Sequence, residues 1–152
     1  MEVKLTMSGK LTKIIGGLGV VLGLLIALTP FHLAPVCQRL LELTTGKMVH
    51  MRCHYTGQAE VFLGIILVLV SLLYLFNTSI SAQKSLGGIL VILGLAVIIL
   101  PTNLGIGVCM SPMECHTTAK VLYVLGGLTI LDGLAAVFQN RIPVATSKDM
   151  NA

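Results

Sequence analysis

Apolar residues fill this chain in four long blocks, at 14–33, 61–76 with its flanks, 86–106 and 121–138, separated by short polar intervals. Within each block the apolar positions are continuous rather than alternating, which does not fit a barrel strand with one lipid face and one lumen face. A hydrocarbon layer about 30 Å thick takes roughly 20 apolar residues in helical form. An α-helix also satisfies its own backbone polar groups where lipid offers no partner. The pattern therefore predicts an all-α integral membrane four-helix bundle, one membrane domain over residues 1–152, with short polar tails at 1–12 and 140–152. No separate soluble domain is left to hold a nucleotide or a polar substrate.

The punctuation of the blocks repeats. KIIGGLGVVLGLLIALTP (13–30) and KSLGGILVILGLAVIILP (84–101) align without a gap through Lys, the GG pair, Val, Leu, Gly, Leu and the final Pro. At a different offset, MRCHYTGQAEVFLG (51–64) lies on MECHTTAKVLYVLG (113–126), matching Met, Cys, His, Thr and Gly. The chain reads as two tandem helical-hairpin repeats, 13–77 and 84–139. Each unit crosses twice, so both copies run in parallel and both MxCH motifs are expected on one membrane surface. Gly16, Gly19, Gly23, Gly87, Gly94, Gly126, Gly127 and Gly133 lie within the crossings, where small residues let helices approach closely. GGLGVVLG lacks the GxGxxG spacing and lies in lipid, which excludes a nucleotide loop. Pro30 and Pro101 are expected to mark where helices give way to loops.

Composition agrees with the membrane reading: 55% hydrophobic and 11% charged residues, with a mean hydropathy of +0.96, are not the make-up of a water-soluble domain. The net charge of +4 bears on orientation. Placing both termini and the middle loop inside collects Lys4, Lys10, Lys13, Lys84, Arg141 and Lys148 there, and leaves Arg39, Lys47, Arg52 and Lys120 outside. This excess favours a plasma-membrane protein with cytoplasmic termini and extracytoplasmic cysteine loops. The basic start MEVKLTMSGKLTK also has the form of a secretory signal. Because the first helix has a counterpart in the second repeat, an uncleaved anchor is expected instead.

Chemistry concentrates in the two outer loops. Cys37, Cys53, Cys109 and Cys115 all fall there, an even pair in each, as an oxidising compartment permits. Disulfides Cys37–Cys53 and Cys109–Cys115 are the plain reading, and pairing across the loops stays open. Around them stand Met48, His50, Met51, His54, Met110, Met113 and His116. Thiolate, thioether and imidazole are ligands for a soft ion such as Cu(I), and Met51, Cys53, His54, Cys109, Met110, Met113, Cys115 and His116 form the candidate metal set. Zinc does not call for thioethers. Haem held by two His or by His and Met is a further alternative, although neither Cys-His pair has the spacer of c-type attachment. An enzymatic alternative is thiol–disulfide exchange coupled to quinone, for which the absence of CxxC is unfavourable.

Three further residues interrupt the apolar pattern. Asp132 lies inside the fourth block, where an ionisable group is costly; a proton or ion path and a water-reached or protonated carboxyl are the two readings. Glu60 and Lys120, at the outer starts of the second and fourth helices, are placed to pair across the bundle or to reach headgroups. No Ser, His and Asp set, phosphate loop or nucleic-acid-binding pattern occurs.

APVC, MRCHYTGQAE and GVCMSPMECH on a four-helix plan resemble an uncharacterised family of small bacterial and archaeal membrane proteins, domain-of-unknown-function family 4418, over about residues 13–139. The resemblance implies the four-helix fold and a bacterial or archaeal source and brings no established activity. It further implies a place beside ABC-type export machinery. Together these readings point to a small accessory or sensor subunit, surrounded by membrane lipid and completed by a homo-oligomer or a membrane-protein partner such as an ABC-type transporter.

Overall fold

The computed structural model describes residues 2–33, 40–42, 44–50, 52–107 and 115–139. Four helices, α1 (Glu2–Leu28), α2 (Arg52–Phe76), α3 (Ile80–Ile99) and α4 (Cys115–Gln139), form the bundle. Their segments Lys10–Leu33, His54–Phe76, Ile80–Ile99 and His116–Gln139 are each long and apolar enough to cross a membrane. The protein is a multi-pass membrane protein.

Helix ends depart from the sequence expectation in ways the chemistry explains. At Pro30 the chain does not stop but widens into a π-helical turn over Thr29–Leu33. A proline ring would clash with the carbonyl four residues back in an α-helix, and the wider turn relieves that contact. The Thr29 hydroxyl donates to the Leu25 carbonyl at 2.7 Å, giving that carbonyl a second donor at the transition. The third apolar block runs on to residue 106, but α3 ends at Ile99, beside Pro101 where the sequence marks the start of a loop. Pro101 follows, and the chain folds back so that the amides of Ile106 and Gly107 both donate to the Leu100 carbonyl, at 3.1 and 3.2 Å. Gly107 takes φ +80°, a left-handed conformation open to glycine. The predicted tail at 1–12 is helical from Glu2 onward. Between α1 and α2 a short antiparallel hairpin, β1 (Leu40–Glu42) and β2 (Met48–His50), pairs Leu40 with His50 and Glu42 with Met48.

Contact is most extensive between α1 and α2 and between α3 and α4, with smaller interfaces joining α2 to α3 and α1 to α4. The helices therefore succeed one another around a square. Leu22, Ile26, Leu67, Leu90, Val97, Leu122 and Leu125 fill its middle, and Ile15, Tyr74 and Ala136 a second cluster towards the end where α1 begins. Leu18, Leu69, Ile92 and Leu131 point outward and stay exposed, as a lipid-facing surface requires.

Glycine sets the approach within each hairpin. A Cβ on Gly23 would stand 3.0 Å from the Gly64 carbonyl oxygen, and one on Gly94 would stand 3.0 Å from that of Gly126. Gly16 meets Leu75 and Tyr74, and Gly87 meets Val137 and Ala136. These are the positions the two sequence alignments match. The same contacts recur in both hairpins.

Candidate functional site

Because the helices alternate in direction, the segments joining α1 to α2 and α3 to α4 emerge at one end of the bundle. A hydrogen bond joins one of them to the facing helix there: the Thr56 hydroxyl, buried in the second turn of α2, donates to the carbonyl of Gly107, in the chain that follows α3, at 2.9 Å.

At this end Cys53 lies in the first turn of α2 and Cys115 opens α4, so both belong to helix starts rather than to loops as the sequence suggested. Each is followed by a histidine. His54 is partly exposed and His116 exposed. His50, the last residue of β2, stacks its ring on His54 with centroids 4.5 Å apart and planes 27° apart. Tyr55 meets His54 edge to face at 5.8 Å, and the Gln58 amide donates to its Nε2 at 3.2 Å. The β-hairpin delivers His50 to this spot, a juxtaposition not foreseen from sequence although LLELTTGKMVH carries alternation around a Gly turn. Cys37, Met51, Cys109, Met110 and Met113 lie outside the described residues, as do the disulfide pairings. Among the described residues no group of three or more His, Cys, Asp or Glu side chains is placed to hold a metal ion.

The interior holds the remaining candidates. Glu60 is fully buried, and neither carboxyl oxygen has a hydrogen-bond partner among the described residues. Lys120 is exposed, so the pair suggested by their position is not formed. Glu60 faces inward because its helix position falls on the same stripe as Gly64, Leu67 and Ser71, all buried. Asp132 is also buried, at 8% exposure, with Oδ2 unpartnered among the described residues. Sequence reasoning missed its neighbours. Ser71 is fully buried with its hydroxyl likewise unpartnered. Tyr74 is fully buried and donates to Gln139 Oε1 at 3.5 Å, while Gln139 Nε2 donates to the Thr12 hydroxyl at 3.2 Å. The available signal was a Ser and a Tyr three residues apart inside an apolar run.

Thr56 and the aligned Thr118 are both buried, but the other described polar groups buried in α2 and α4 have no polar counterpart in the other hairpin. Glu60 aligns with Leu122, Ser71 with Gly133 and Tyr74 with Ala136 in the second hairpin, whereas Asp132 and Thr129 align with Val70 and Leu67 in the first. Packing positions match and these polar positions do not, so Glu60, Ser71, Tyr74, Thr129 and Asp132 are not a by-product of the repeated pattern.

Comparison with curated proteins and with solved structures gives no match. A family model does match, over residues 19–139, from the second half of α1 to the end of α4. On that match the chain belongs to the family described as Domain of unknown function (DUF4418).

Proposed function

We propose that this protein is a small accessory or sensor subunit of the plasma membrane whose extracytoplasmic end is a Cys/Met/His cap held by at least one loop disulfide. The observation that carries the reading is the shared end. Cys53-His54 and Cys115-His116 occupy the first turns of α2 and α4, and the Thr56 to Gly107 bond fastens the start of α2 to the chain that follows α3. An even cysteine number suits an oxidising outer compartment, and closing a loop stabilises chiefly by restricting the unfolded chain. The recurring glycine contacts support an origin as two tandem hairpins, 13–77 and 84–139, and the lysine and arginine excess supports cytoplasmic termini.

Binding of a soft ion such as Cu(I) is the second reading. The stacked pair of His50 and His54 beside Cys53 favours it, since it gathers imidazoles where the sequence also supplies thiols and thioethers.

Alkylation under denaturing conditions of protein isolated without reductant, followed by intact mass and metal analysis, separates the two. The disulfide reading predicts no more than two alkylated thiols among the four cysteines. It further predicts a loss of about 2–4 kcal/mol of stability for Cys109→Ser and little change for Met113→Ala or His116→Ala. Four alkylated cysteines would overturn it. Stoichiometric copper in the wild type, lost in Met113→Ala and His116→Ala, would put the soft-metal reading in its place.

A further inference from the structure

Three helices converge on one point near the end of the bundle where α1 begins. A Cβ placed on Gly19 of α1 would lie 2.5 Å from the Ser71 hydroxyl oxygen of α2 and 3.3 Å from Asp132 Oδ2 of α4. Glycine at position 19 thus lets both oxygens come up against the α1 backbone, where any side chain would displace them. Both side chains are more than nine-tenths buried, and neither atom has a partner among the described residues. The second hairpin has no equivalent arrangement, because Leu90 aligns with Gly19, and Gly133 with Ser71.

We propose that Asp132 is a proton-binding carboxyl, paired with Ser71 against the α1 backbone at Gly19 and reached from the end where α1 begins and α4 ends. A bare carboxylate at this depth is costly unless neutralised by a proton or a cation. Hard cations take six or more oxygens, and among the described residues two unpartnered side-chain oxygens converge here, while the surrounding backbone carbonyls belong to helices. A proton needs no more than the carboxyl and one acceptor, which the Ser71 hydroxyl or a bridging water supplies.

The route follows from placement. Tyr74 lies one turn beyond Ser71 on the same face of α2, and its hydroxyl joins Gln139 and then Thr12 towards the bundle end. On the other side the route is closed by Leu22, Ile26, Leu67, Leu90, Val97, Leu122 and Leu125. Beyond that apolar layer sits Glu60, eleven residues before Ser71 and so about 16 Å away along α2. Of the titratable groups facing the interior, α2 presents Glu60 and Tyr74 and α4 presents Asp132. Among the described side chains, the buried residues of α1 and α3 include no ionisable group, and Lys10, Lys13 and Lys84 are exposed. The site binds and releases one proton, with no redox step.

Dicyclohexylcarbodiimide, which adds to protonated carboxyls in apolar surroundings, tests this on the wild-type protein in lipid vesicles, with the adduct located by peptide mass. Orientation is fixed by protease access to a tag on the N-terminus. The expected adduct is on Asp132, is absent in Asp132→Asn, and falls about tenfold per pH unit above its midpoint, as a single ionising group requires. Its yield follows the pH of the compartment that holds the tag and is the same in sodium and choline media. An unmodified Asp132 at acid pH would overturn the proposal. Protection by sodium at constant pH would replace the proton with a metal cation, and a yield that follows the opposite compartment would refute the route.

Discussion

Gly64→Leu is expected to lower the stability of the bundle by about 3 kcal/mol or more, at the upper end of what overpacking a close interface costs. A Cβ at this position would stand 2.6 Å from the Ala27 amide nitrogen and 2.8 Å from the Gly23 carbonyl oxygen. Both are backbone atoms in the facing helix, so no side chain can swing away and α1 must separate from α2. Dispersion contacts along the whole interface then weaken together, and in lipid these contacts are a principal force holding helices in register. Gly126→Leu should cost a similar amount, since its Cβ would stand 3.0 Å from the Gly94 carbonyl oxygen. Gly127→Leu provides the control: nothing lies within 4 Å of a Cβ there, and its effect should stay within about 0.5 kcal/mol. Unfolding titrations in one detergent measure all three. Equal losses at Gly126 and Gly127 would contradict the packing described.

Glu60→Leu is expected to act in the opposite direction, raising stability by about 1–3 kcal/mol, the usual cost of a buried polar group left without a partner. The second hairpin already carries leucine at the aligned position, and Leu122 is 1% exposed. A leucine at 60 therefore has a matching precedent within the same fold. A side chain that lowers stability and is nevertheless fully enclosed is the signature of a retained polar function rather than of packing. The same unfolding titration measures the change. A Glu60→Leu protein less stable than wild type would mean that Glu60 has a stabilising partner in the native state.

The four crossings were legible because lipid imposes a simple rule, and the long apolar blocks of this chain answer it. Glycine contacts were legible at Gly23, Gly64, Gly94 and Gly126, which repeat at aligned positions, but not at Gly127, which was read with the packing glycines and faces open space. Helix ends were less so. Hydropathy does not register that Pro101 stops α3 while Pro30 is absorbed into a π-turn, or that Cys53 and Cys115 already belong to helices. The separation of Glu60 from Lys120 was hidden for a related reason. Both sit in the N-terminal part of their helices, at the end that carries Cys53 and Cys115, but only the rotation of each helix about its axis decides which one points into the bundle. The meeting of Ser71 and Asp132 at Gly19 joins three helices, and no pattern along one helix encodes it.

The account turns on the thiol-bearing end facing out of the cell. The most direct test reduces the disulfides of intact cells with an impermeant phosphine and then applies an impermeant maleimide. The account predicts that the cysteines are labelled from outside, to the same extent as in cells opened before labelling. Labelling that occurs only after the membrane is opened would contradict it.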